Sequence, residues 1–209
     1  MSDRVLDIST SGTLRGLPGL RRIAWERRES GEGYHARPGE WPFTQITVQI
    51  TLAGAGVCWP HGRRRRGQSV PVPAGAALVY DSRLHRQLEY GQAPAQPWEF
   101  LYVNLLGSAS AAIIADLAAV HHHAVPIAPS HPEIVALLNL VPRSGHRLAP
   151  WSWQRAAQIA QRLLLALSPR EPQAGDQVSA DDRLVAEAMR RWRDDLARAL
   201  PVGEIARQL

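Results

Sequence analysis

The side chains that could do chemistry fall into a few groups. His85 and Gln87 stand two apart, so on a strand they share a face and offer a ring nitrogen and an amide to a polar ligand. Arg37 lies just ahead of the first long apolar stretch, and its guanidinium is a planar fork of donors suited to hydroxyls or carboxylates. Phe100 and Tyr102 alternate with Leu101 and Val103, and their ring faces suit stacking on a ligand, although aromatic residues on strands also serve as core. His121, His122 and His123 are consecutive. Adjacent residues in regular structure cannot aim at one ion, and no cysteine or carboxylate stands nearby at ligand spacing, so no metal is expected. Cys58 sits between Val57 and Trp59 and reads as a buried hydrophobe rather than an activated thiolate. With no Gly-rich phosphate loop and no support for a nucleophile, the chain reads as a binder without a cofactor and not as an enzyme.

The elements that must hold these residues change character along the chain. Arg21–Glu29 reads as a strand. Ile46, Val48, Ile50 and Leu52 alternate with Thr47, Gln49 and Thr51, the period of a half-buried strand. Val57–Trp59 and Ser69–Val72 flank the turn-rich Pro60–Gly67 and read as a hairpin whose solvated tip carries Arg63, Arg64, Arg65 and Arg66. Ala76–Tyr80, His85–Tyr90 and Trp98–Leu105 complete the strands, the last with residues that call for cover on both faces. Ser108–Val120 and His131–Val141 read as helices, the second with Ser130 as N-cap and Glu133 closing a capping box. Pro150–Leu167 reads as a third, with an apolar stripe through Trp153, Ala156, Ala160, Leu163, Leu164 and Leu167. Ser168–Ser179 has linker composition. Ala180–Leu200 is an Arg-rich amphipathic helix, and Pro201 starts another. The 209 residues carry a net charge of +5 and a pI of about 10.3, with every basic residue an arginine. Such a surface favours polyanions such as nucleic acid. One cysteine excludes an internal disulfide, no apolar run reaches the length of a membrane span, and Met1–Thr10 lacks the order of a signal peptide, so a cytoplasmic protein is expected.

Taken in order, these parts resemble the AraC-type (arabinose regulator) family of bacterial transcription factors. The matching stretches are Arg37-Pro38 before a strand that runs into Leu52-Ala53-Gly54-Ala55-Gly56, then Pro73-Ala74-Gly75, a strand and His85, then Trp98–Val103, and finally Asp182–Leu209, which is similar to the opening of that family's DNA-binding domain. The resemblance implies an α+β fold: a cupin-like β-barrel (a double-stranded β-helix or jelly roll) followed by helices, then the start of an all-α helix-turn-helix domain. It divides the chain into a ligand-binding and dimerisation domain at 1–170, with the barrel at about 20–130 and helices at about 108–168, a linker at 171–179 and an incomplete DNA-binding domain at 180–209. Such a domain needs roughly 100 residues, so the rest is expected beyond Leu209. The resemblance further implies that Arg37, His85, Gln87, Phe100 and Tyr102 contact a small-molecule effector, a sugar or an aromatic compound. It implies that the stripe from Trp153 to Leu167 forms a homodimer, that the full-length protein binds DNA, and that Ser2–Leu20 is a mobile arm over the barrel mouth. Two alternatives stay open: a cupin enzyme, disfavoured because neither His61 nor His85 begins an His-x-His pair, and a dimerisation domain whose barrel is filled by its own aromatic side chains.

Overall fold

The computed structural model describes residues 3–11, 16–62 and 69–168. The most apolar strand, β8 (Trp98–Leu106), lies between β2 (Gly19–Arg28) and β4 (Ile46–Trp59), antiparallel to both. Its two faces serve two cores, as its sequence requires. Leu101, Val103 and Leu105 pack under helices, while Trp98 and Phe100 point to the opposite side and are fully buried. The same holds for β4. Ile46, Val48 and Ile50 join the helix-side core, and Thr47, Gln49 and Thr51 are 2%, 1% and 0% exposed. The alternation of β4 predicts a half-buried strand; both faces are buried because the sheet rolls over, so that its polar face lines an interior instead of meeting water.

Rolling is possible because β4 is long enough to serve two sheets. Its first part belongs to the sheet ordered β10–β1–β2–β8–β4–β6–β9, formed by β10 (His146–Ser152), β1 (Arg4–Ser11), β2, β8, β4, β6 (Ala76–Asp81) and β9 (Ala124–Pro126). Its second part pairs with β5 (Val70–Pro73) on one side and β7 (Glu89–Gln92) on the other, and β7 continues to β3 (His35–Ala36). The strand passes between sheets at a register shift beside Thr51–Ala53, followed by Gly54 at φ +70°, where a Cβ would collide with the Pro97 carbonyl. Two residues on, Gly56 lies against the Trp98 ring, and a Cβ there would run into the indole.

Three helices follow on the outer face: α1 (Ser108–Val120), α2 (Pro132–Leu140) and α3 (Trp153–Leu167). This rolled barrel followed by helices is the α+β, cupin-like arrangement that the resemblance implies. Several details differ from the sequence reading. The N-cap of α2 is His131, whose side chain accepts the Glu133 N–H, and not Ser130. Helix α3 begins at Trp153 with Ser152 as its cap, and His146–Ser152 forms a strand parallel to β1. Residues 4–11 are not an arm over a mouth but β1 itself. Val5, Leu6 and Ile8 are buried, and the strand is held between β2 and β10. The strand expected over His85–Tyr90 starts only at Glu89. The described residues up to Ser168 form one compact unit. Arg63–Arg66, the linker and the helix-turn-helix residues lie outside the described residues.

Candidate ligand-binding site

Inside the barrel, strand register sets polar groups of three strands side by side. Thr47, Gln49 and Thr51 of β4 stand opposite Asn104, Tyr102 and Phe100 of β8, and on the other flank Ala24 and Glu26 of β2 face Tyr102 and Phe100. At the lower end Trp98 closes the interior. Its indole N–H donates to Thr51 Oγ1 at 3.1 Å, whose hydroxyl donates to the Val72 carbonyl at 3.1 Å. The Phe100 and Trp98 ring centroids lie 4.6 Å apart in this aromatic core. Beside it a cavity of about 170 Å³ remains, walled by Glu26, Tyr34, Thr47, Gln49, Tyr80, Tyr90, Tyr102 and Asn104, with Trp41, Phe43 and Gln45 at the side of the exposed Phe43. The Trp41–Phe43 rings are 5.7 Å apart. Their segment is tied to the turn after β6 by Gln45, whose N–H donates to Ser82 Oγ and whose carbonyl accepts the Ser82 N–H, both at 2.9 Å.

Most wall groups satisfy one another. Thr47 Oγ1 donates to Asn104 Oδ1 at 3.2 Å, and the Tyr80 and Tyr90 hydroxyls pair at 3.3 Å. Burial pushes the Tyr80 and Tyr102 phenols up to about 12, so both remain protonated donors at neutral pH. Burial also raises the Glu26 carboxyl above its ordinary range, an effect opposed by Arg28, which hydrogen-bonds it. Arg28 in turn lies 3.6 Å from Asp3. Among the cavity-wall residues the exception is Gln49, which is 1% exposed yet whose Nε2 has no partner; on the flank the buried Arg28 Nε likewise has none. A buried donor left unmade costs about 1–3 kcal/mol, which marks the place where a ligand would bring an acceptor.

The five effector contacts expected from sequence divide among four places. Tyr102 lines the cavity; Phe100 does not, being buried in the aromatic core behind it with its ring 6.4 Å from that of Tyr102. Arg37 and Gln87 meet in a separate outer groove of about 240 Å³, with Glu40, His61, Arg86 and Glu89. There Arg37 forms ion pairs with Glu40 at 3.3 Å and Glu89 at 3.5 Å, while its buried Nε makes no hydrogen bond. His85 reaches neither. It lies in the turn before β7, its Nδ1 accepts the Asp81 N–H at 3.0 Å, and its ring meets the edge of His123 with centroids 4.6 Å apart. Because no strand runs from 85 to 87, His85 and Gln87 share no strand face. His122 and His123 both have positive φ, and among the described residues no three metal-ligating side chains converge. Cys58 is fully buried and its thiol is pushed up to about 12 by burial. The stripe expected at a dimer interface packs instead on the chain's own barrel. Ala156, Ala160, Leu163, Leu164 and Leu167 belong to the helix-side core, and Trp153 and Ala156 edge an outer groove of about 440 Å³ beside Leu105 and Gly107. The sequence reading passed over Glu26, Tyr34, Gln49, Tyr80, Tyr90 and Asn104; the signal for Gln49 was present in the alternation of β4.

No protein-family model matches this chain, and no curated protein matches it. Solved structures do. YhaK from Escherichia coli is similar at 16% identity and a TM-score of 0.37, over 51% of this chain and 45% of YhaK. A cupin protein, BF4112 from Bacteroides fragilis, is similar at 14% identity and a TM-score of 0.29, over 47% of this chain and 83% of that one. The AraC-like transcriptional activator CuxR is similar at 9% identity and a TM-score of 0.31, over 91% of this chain and 64% of CuxR. The chain thus spans less than two thirds of YhaK and of CuxR. No described helix is long and apolar enough to cross a membrane.

Proposed function

We propose that this chain is the ligand-sensing and dimerisation part of an AraC-type transcriptional regulator, and that a small polar molecule held inside the barrel controls DNA binding by helix-turn-helix units that start near residue 180. The observation that carries the ligand role is the buried, unpartnered Gln49 amide in the cavity beside Tyr102. Thr47, Asn104 and Glu26 complete its polar wall. The cavity is smaller than the roughly 300–1,000 Å³ of drug-sized sites, so the effector is small. An interior packed solid by its own side chains would favour the dimerisation-only reading; the open volume beside Gln49 and Tyr102 favours a ligand.

Control of DNA binding requires the effector to prefer one of two arrangements of the whole regulator. The order of parts in the sequence supports this role: a barrel, three helices, a linker and an Arg-rich helix. Dimerisation falls to the outward face of α3, where the exposed Leu165 lies among Gln158, Gln161 and Arg162. The test is a thermal-shift panel of sugars, aromatic acids and small amines on the full chain and on Gln49→Leu. A compound that binds the cavity raises the wild-type melting temperature with the logarithm of its concentration and does nothing to the variant. Shifts that survive Gln49→Leu and vanish in Arg37→Ala would move the site to the outer groove.

A further inference from the structure

We infer that the ligand of the barrel cavity is a small organic cation that also carries a hydroxyl or carbonyl oxygen, such as an amino alcohol or a quaternary ammonium alcohol. The inference rests on the barrel being the ligand site and adds the chemistry of what enters it. Among the described residues that wall the cavity none is basic, and Glu26 is the one carboxyl. The rest of the wall is dominated by aromatic rings, whose faces carry partial negative charge and attract a cation within about 6 Å. The chain already uses this property on the flank of the cavity, where the Arg28 guanidinium sits 4.9 Å from the Tyr34 ring centroid.

Charge counting points the same way. Arg28 serves two carboxylates, Glu26 and Asp3, while Arg22, which hydrogen-bonds Tyr102, is matched by Asp7 at 2.6 Å, so these five groups carry one net negative charge beside the wall when all are ionised. An anion entering the cavity would meet Glu26 and several phenol oxygens, while the two arginines nearest the wall, Arg28 and Arg22, are already paired with carboxylates. A neutral polyol would satisfy Gln49 but leave that charge unanswered. The unpartnered Gln49 Nε2 requires a lone pair on the ligand, which sets the hydroxyl or carbonyl. The volume of about 170 Å³ holds roughly half a dozen waters at about 30 Å³ each, which limits the ligand to a single small fragment.

The test uses three probes of one shape: choline, its uncharged isostere dimethylbutanol, and the anion dimethylbutanoate. Each is titrated calorimetrically into the full chain and into Glu26→Gln, Asp3→Asn and Gln49→Leu. Choline is expected to bind at least about tenfold more tightly than the alcohol, and the anion not measurably. Asp3→Asn, at a partly exposed site that leaves the fold intact, narrows the preference for choline, and Glu26→Gln removes it. Gln49→Leu weakens choline and the alcohol alike. Equal binding of alcohol and choline, or binding of the anion, with loss in Gln49→Leu, would overturn the cation assignment and leave the barrel site standing. Gln49-dependent binding of sugars or aromatic acids alone would do the same. Absence of any Gln49-dependent binding would overturn both.

Discussion

A single buried amide separates a binding barrel from a merely folded one. Gln49 stands between two threonines that each find a partner, Thr47 with Asn104 and Thr51 with Val72. Its own donor finds none. Replacing it by leucine removes an unmet polar group from the interior, so Gln49→Leu should gain about 1 kcal/mol by chemical denaturation while losing ligand response. A loss of stability of that size would mean that the amide is structural. Gly56 makes the contrasting case. Its hydrogen faces the Trp98 ring, so Gly56→Ala must displace the indole from Thr51. Overpacking of this kind costs about 1–3 kcal/mol, read as a lower denaturation midpoint with an unchanged slope. An unshifted midpoint would show that the floor of the barrel is looser than its packing indicates.

Among the elements, the turn between β6 and β7 is held by Asp81, whose carboxylate accepts from the Arg83 N–H and guanidinium, with two histidines packed against it. His123 Nδ1 donates to the Val79 carbonyl at 2.9 Å, and its ring abuts His85, which is anchored on Asp81. Burial holds both imidazoles below their ordinary value, and the neighbouring His85, His61 and His122 lower His123 further. A folded pKa below the unfolded one means that the folded chain binds fewer protons than the unfolded chain, so stability is full above about pH 6.5 and declines as pH falls through that value toward the folded pKa. The melting temperature should therefore drop between pH 7.5 and 5.5, and His123→Asn, which tolerates the left-handed backbone there, should flatten that slope. An identical slope in the variant would assign the acid sensitivity elsewhere. The elements also show what sequence could and could not disclose. Local signals sufficed for β8 and α1, because a two-sided apolar strand and an unbroken Ala-rich run need no partner to be recognised. The outer strands β10, β1 and β9, of which β10 and β9 are the edges, escape the sequence since their pattern depends on what they pair with; β10 alternates buried Ala149 and Trp151 with exposed residues only because β1 lies beside it. The polar face of β4 was legible as a face but not as an interior one, for that depends on the sheet closing. Tyr34 and Trp41 came from loops around the short β3, where periodicity has nothing to say.

At the scale of the whole barrel unit, one sheet separates two interiors of opposite character. The outer core is aliphatic and consumes the inward stripe of α3; the inner one is aromatic and polar and keeps a hollow. The proposed dimer would therefore use what α3 leaves outside. Leu165→Asp, at a 65% exposed position, should leave the melting temperature within about 1 kcal/mol of equivalent stability while shifting sedimentation from dimer to monomer. A dimer that persists would place the interface on another face. The hollow itself is tested most directly by crystals soaked in small cationic, neutral and anionic fragments. Density bridging Gln49 and Tyr102 inside the barrel is the predicted result. Fragment density confined to the groove of Arg37 and Gln87, with Gln49 turned to a protein partner and the barrel closed upon itself, would contradict a ligand-binding interior.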